Sequence, residues 1–144
     1  MTRNLAQRAA EAMYARDVAS QGLGMVIEEI RPGYARLRME IRPDMLNGHA
    51  TCHGGYVFAL ADSAFAFACN SHNRATVASG AAIEFLAVVR AGEVLVAEAV
   101  EQALGGGLGV YDVVVRRADG EQVALFRGRS YSLKTPVIPE EAVT

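Results

Sequence analysis

Hydrophobic positions along the chain change rhythm several times. Residues 3–18, "RNLAQRAAEAMYARDV", are rich in alanine and other good helix formers and place Leu5, Ala9, Ala12 and Met13 on one face. That spacing predicts a first helix. In "GMVIEEIRPGYARLRMEI" apolar and polar residues alternate on either side of Arg31-Pro32-Gly33-Tyr34, a tight-turn sequence, which predicts a hairpin. "RPDMLNGHATCHGG" reads as a loop. From about Gly54 to Asn70 nearly every residue is apolar or small, long enough for a central helix. Four strands follow near 78–89, 93–103, 108–117 and 121–133, with Ala118-Asp119-Gly120 turning between the last two. The tail "TPVIPEEAVT" carries two prolines and is expected to be irregular.

A run of antiparallel strands with one apolar helix implies an α+β layer fold in which the sheet wraps the helix. A helix that is apolar nearly all round must be covered on most sides. One sheet covers one side, so a second subunit is expected on the other.

Composition narrows the partners. A chain of 144 residues suggests one domain, and 51% hydrophobic with 21% charged residues is ordinary globular usage. A net charge of −2 lacks the footprint of a nucleic-acid binder. No apolar run approaches the roughly 20 residues that span a bilayer, and the N-terminus has no signal-peptide core. A cytoplasmic protein is expected, with no membrane or nucleic-acid partner. Two cysteines, Cys52 and Cys69, make no disulfide framework and read as free thiols.

Asp62 interrupts the apolar helix. Aspartate is almost never fully buried unless paired, and an ionised, unpaired carboxylate in apolar surroundings shifts its pKa or finds partners. It is either a structural Asp, bonded to nearby backbone or pointing at solvent through a gap, or a catalytic carboxylate in a cleft. "CHGGY" sets Gly54 and Gly55 at the helix start, where backbone N–H groups lack internal acceptors and the dipole favours negative charge. That is either a turn needing glycine or an oxyanion hole aimed at a carbonyl oxygen. The two features are eight residues apart, about 12 Å along a helix. A base and oxyanion donors each need to lie about 3 Å from the reacting atom. Two antiparallel copies would bring Asp62 of one beside Gly54 of the other. Asn47 could orient a water or carbonyl, and His53 could bond a thioester or cap the loop; each could equally brace the loop. His49, Cys52 and His53 match no zinc spacing, so neither a metal nor another cofactor is expected. "ALGGGLG" is a hairpin loop or bulge, or a place of close ligand approach.

The segment "NGHATCHGGYVFALADSAFAFACNS" resembles the Asn-x5-HGG-x6-Asp stretch of hotdog-fold acyl-CoA thioesterases, nearest the phenylacetate-pathway (PaaI-type) hydroxyphenylacetyl-CoA group. "EFLAVVRAGEVLVAEA" and "YDVVVRRADGEQVALFRGRSYSL" look like that family's later strands, so the resemblance covers roughly residues 22–134. It implies a hotdog fold, edge-paired dimers and often a dimer-of-dimers tetramer. It also implies hydrolysis of an aryl acyl-CoA to free acid and CoA. By resemblance Asp62 is nucleophile or general base, the Gly54 N–H polarises the carbonyl, Asn47 helps hold carbonyl or water, and His53 lies near the thioester. Gly55 and Ser79 are then expected at the substrate. The family often has a basic residue near the turn that here reads Gly105-Gly106-Gly107; Arg90 or a partner's arginine is expected to stand in. The competing assignments are a non-catalytic acyl-CoA sensor and an acyl-thioester dehydratase, whose motif is absent. Among the aromatics Tyr56, Phe58, Phe65, Phe67 and Phe85, core filling is expected for most.

Overall fold

The computed structural model describes residues 3–139. Residues 140–144 of the expected irregular tail lie outside the described residues; 135–139 carry no helix or strand. Two short helices, α1 (Leu5–Arg16) and α2 (Val18–Gly22), precede a hairpin of β1 (Val26–Arg31) and β2 (Tyr34–Glu40). A 3-10 turn (Pro43–Met45) and a loop lead into α3 (Gly54–Cys69). Then come β3 (Thr76–Phe85), β4 (Val94–Gly105), β5 (Leu108–Arg117) and β6 (Gln122–Ser132).

The N-terminal helices are set by their caps. Asn4 Oδ1 accepts from the Gln7 N–H at 2.8 Å, and Gln7 answers by accepting from the Asn4 N–H, a reciprocal box that satisfies orphan donors. Asp17 ends α1 and starts α2, accepting from the Ser20 N–H at 2.9 Å. The predicted first helix is therefore two, and its buried face is Ala6, Ala9 and Ala10. Leu5 and Ala12 lie to the side because α1 covers only the margin of the sheet at β1. Ser20 Oγ meets Ser63 Oγ at 2.8 Å and so ties this region to α3, one residue from Asp62.

All six strands form one antiparallel sheet in the order β1-β2-β4-β5-β6-β3. Alternation on β2, β4 and β5 turns Leu37, Met39, Leu95, Ala97, Ala99, Tyr111, Val113 and Val115 inward. They meet Leu60, Ala61, Ala64 and Phe65 of α3, all essentially inaccessible. Small residues on the sheet let a thick helix sit close. At Gly128 of β6 a Cβ would stand 2.8 Å from the Phe65 ring. Asn70 caps the far end of α3, its Nδ2 donating to the Ala66 and Thr76 carbonyls and its Oδ1 accepting from the Thr76 N–H. That one side chain turns the helix into β3. A long apolar helix wrapped by an antiparallel sheet is the hotdog fold.

Candidate active site

At the start of α3 the backbone donors can be accounted for one by one. The Cys52 N–H goes to the Val89 carbonyl (2.7 Å), that of His53 to Met45 (2.8 Å) and that of Tyr56 to His53 (3.0 Å). The Gly55 N–H goes to His53 Nδ1 at 2.9 Å. His53 is thus the N-cap of α3 through its side chain. Accepting at Nδ1 leaves the neutral ring's proton on Nε2, as an outward donor. In this stretch the Gly54 N–H alone finds no acceptor among the described residues. It sits at the positive end of a sixteen-residue helix, a preformed donor for a developing oxyanion.

Asn47 is used on one side only. Its Oδ1 accepts from the N–H groups of His49 (2.8 Å) and Thr51 (3.2 Å) and from the Thr51 hydroxyl (3.2 Å). Its backbone N–H donates to the Thr51 carbonyl. The oxygen braces the loop, and Nδ2 keeps both protons without a partner among the described residues.

Asp62 lies in the middle of α3, partly buried, and accepts no hydrogen bond from the described residues. Burial raises its pKa above the usual carboxylate range because the charged form is the poorly solvated one. Of the structural alternatives, an Asp bonded to neighbouring backbone is not what the helix shows. Its negative charge reaches Cys69, two turns on, whose thiol is pushed up to about 12, first by burial. Cys69 therefore stays protonated at neutral pH and is a packing residue, not a nucleophile. Since α3 is continuous from Gly54 to Cys69, the free N–H and the carboxylate of one chain stand about 12 Å apart along the axis.

The other expected residues fall at different places. Ser79 is exposed on β3, at a bulge between Ala78 and Gly80, and its hydroxyl donates to the Arg129 carbonyl at 3.2 Å. Arg90 lies in the turn before β4, its N–H donating to Glu93 Oε2 at 2.7 Å. The Gly105–Gly107 turn is at the opposite end of β4, a strand of twelve residues that spans about 40 Å. Within one chain Arg90 cannot stand in at that turn. Phe65 and Phe67 fill the core as expected, with Tyr56 and Phe58 packed partly against it. Phe85 does not: it is 54% exposed, and its ring lies against Gly54. Sequence pattern held no sign of this contact, because it joins the end of an edge strand to a helix start thirty-one positions earlier. No three His, Cys, Asp or Glu side chains among the described residues converge on a possible metal position.

Residues 49–124, which carry the capped helix start and Asp62, match the family model described as "Thioesterase superfamily". The chain belongs to the thioesterase superfamily. Within this superfamily it is 44% identical over 124 residues to the acyl-coenzyme A thioesterase PaaI of Escherichia coli (strain K12), covering 86% of this chain and 89% of that protein. The solved structure of the E. coli PaaI protein from the phenylacetic acid degradation operon superposes with a TM-score of 0.90 at 43% identity, covering 91% of this chain and 95% of that one. A mutant of the phenylacetic acid degradation protein PaaI from Thermus thermophilus gives a TM-score of 0.76 at 38% identity over 79% of this chain and 97% of its own. Both solved structures share the fold of this chain.

Proposed function

We propose that this protein hydrolyses acyl-CoA thioesters of the aryl type, phenylacetyl- or hydroxyphenylacetyl-CoA, to the free acid and CoA. The observation that carries this is a pair of groups on α3 unsatisfied among the described residues: the Gly54 N–H with no acceptor and the Asp62 carboxylate with no donor. The carbonyl oxygen takes the Gly54 N–H and gains charge as the carbonyl carbon is attacked. Asp62, made more basic by burial, removes a proton from the attacking water or attacks the carbonyl carbon itself. The Asn47 Nδ2 and His53 Nε2 protons are donors that steady the carbonyl or the water. The C–S bond then breaks, and the thiol, whose pKa is about 8.5, leaves readily as the thiolate.

Each site is shared by two subunits, because 12 Å along one helix separates the two groups. β3 supports such pairing. It is a ten-residue edge strand whose one ladder partner is β6, and an exposed edge of that length is a template for a second chain. Pairing of two β3 edges sets two α3 helices antiparallel across the axis; two such dimers form the tetramer. The catalytic unit spans about residues 22–134, with 135–144 as a tail. No helix among the described residues is long and apolar enough to cross a membrane; a cytoplasmic reaction is part of this proposal.

Thiol release from phenylacetyl-CoA, compared with a set of aliphatic acyl-CoAs, is the direct assay. Turnover favouring the aryl substrates is expected. Saturable binding without release of CoA from any of them would make the protein a sensor. A single turnover in oxygen-18 water then separates the chemical routes: label in Asp62 marks an anhydride, and its absence marks a base.

A further inference from the structure

Asn47 begins a loop that closes on itself. The Leu46 and Cys52 backbones pair as an isolated antiparallel bridge. Between them the Asn47 N–H donates to the Thr51 carbonyl at 2.8 Å, and the Ala50 N–H donates to the Asn47 carbonyl at 3.1 Å. The turn is made at Ala50, which sits in the left-handed region at φ 61°, a conformation that costs a residue bearing a β-carbon. The loop runs directly into His53, whose N–H is fixed on the Met45 carbonyl. Asn47 and the start of α3 are therefore held in one frame.

Within that frame Asn47 Oδ1 faces three donors: the His49 N–H at 2.8 Å, the Thr51 N–H at 3.2 Å and the Thr51 hydroxyl at 3.2 Å. An amide oxygen has two lone pairs. The two backbone N–H groups are enough to occupy them and to close the loop, so bracing does not require the hydroxyl. What the hydroxyl adds bears on the other end of the amide. Every group around the oxygen is a donor, so the NH2 cannot take its place, and the Nδ2 protons turn away from the loop. Donation to the oxygen polarises the amide and strengthens its N–H groups as donors in turn. Thr51 is β-branched, which stiffens its χ1, and partly buried, so the hydroxyl stays where it is.

We infer that Thr51 is a positioning residue for the hydrolysis: through its hydroxyl it holds the Asn47 amide with the Nδ2 protons turned to the reacting thioester. This rests on the donor role proposed above for Asn47 Nδ2. It adds a residue that acts through Asn47 and touches neither the substrate nor the attacking water.

The test is a cycle of variants assayed on phenylacetyl-CoA. Thr51→Val keeps the shape of the side chain and removes the hydroxyl. It should lower kcat by about threefold to tenfold, the worth of one hydrogen bond, and leave KM nearly unchanged, because the loss falls on the transition state. Thr51→Ser keeps the hydroxyl and should retain most of the wild-type kcat. Asn47→Asp offers an oxygen to the same three donors and loses the Nδ2 protons; it should fold as the wild type does and lose about a hundredfold in kcat. In that background Thr51→Val should lower kcat no further, since no Nδ2 protons are left to place. An unchanged kcat in Thr51→Val beside a slow Asn47→Asp overturns the inference and leaves the role of Asn47 standing. A fall in kcat that Thr51→Ser shares, or that is as large in the Asn47→Asp background, also overturns it and makes Thr51 a brace of the loop. Wild-type kcat in Asn47→Asp removes the donor role of Asn47 itself, and a wild type that hydrolyses no acyl-CoA removes the activity; either takes this inference with it.

Discussion

The ring of Phe85 lies on Gly54, so close that a β-carbon built on the glycine would stand 3.0 Å from Cζ and 3.3 Å from Cε1. An aromatic ring thus packs against the residue whose backbone N–H has no acceptor among the described residues. Phe85→Ala removes that packing and opens the surroundings of the donor to water, which should weaken it electrostatically. Because the ring is half exposed, folding stability should change by less than about 1 kcal/mol, while kcat falls by about tenfold for a loss of roughly 1.4 kcal/mol in transition-state stabilisation. Steady-state kinetics alongside a thermal melt distinguish the two. A large drop in Tm with kcat intact would make Phe85 a structural residue instead.

Gly54 can be tested without disturbing the helix. It is the first residue of α3, and His53 before it has φ −64 and ψ 131, a backbone that a following proline accepts. Proline is tolerated at a first helical position because that N–H has no helical partner. Gly54→Pro should therefore melt close to Gly54→Ala, which shares its added β-carbon near Phe85. It should turn over about a hundredfold to a thousandfold more slowly than Gly54→Ala, for want of the N–H. Equal rates in the two variants would exclude the donor role.

Asp62→Asn should cost about a hundredfold to ten-thousandfold in kcat. In the wild type, kcat/KM should fall on the acid side as Asp62 takes its proton, at a pH above the ordinary aspartate value of about 3.9 because burial raises the pKa. Stability follows the same sign. With the folded pKa raised above the unfolded one, the native state holds more protons between the two, so stability falls as pH rises through that window. The variant should melt higher than the wild type at neutral pH, and the advantage should vanish in acid below the unfolded pKa. A wild-type advantage at neutral pH would mean that Asp62 has a stabilising partner in the assembly.

Subunit mixing tests the shared site. Asp62→Asn and Gly54→Pro chains, each nearly inactive alone, should recover a measurable part of wild-type activity once exchanged, because half of the sites in a hybrid contain neither lesion. Hybrids proven by mass spectrometry that stay inactive would place both groups in one chain's site.

Much of this was legible in the residues. Periodicity located α3 and five of the six strands to within about two residues, since each has a strong apolar rhythm with Gly, Pro or Asn at its ends. β3 came out shifted and too long, because "FLAVV" continues its apolar run while the chain has already left the ladder at Phe85. Asp62 and Gly54 stood out as violations of the surrounding pattern. The free Gly54 N–H did not, because its freedom depends on where Cys52, His53, Gly55 and Tyr56 send theirs. The place of Phe85 was also hidden: it depends on strand neighbours set by sheet order. Arg90 was misplaced relative to the glycine turn for the same reason, since one dimension does not say which end of β4 a loop occupies.

Sheet order also sets a schedule. Among the described residues β3 adjoins only β6, the last of the six strands. As the protein leaves the ribosome, N-terminal end first, β3 emerges with no neighbour and waits through the synthesis of β4 and β5. Phe85, at its end, has no fixed position over Gly54 until β6 arrives. The helix and its carboxylate are made early; the contact of Phe85 with Gly54 is fixed only when translation is nearly over, so a chain cut short before Gln122 would contain both groups of the proposed chemistry and lack the strand that holds the ring beside one of them.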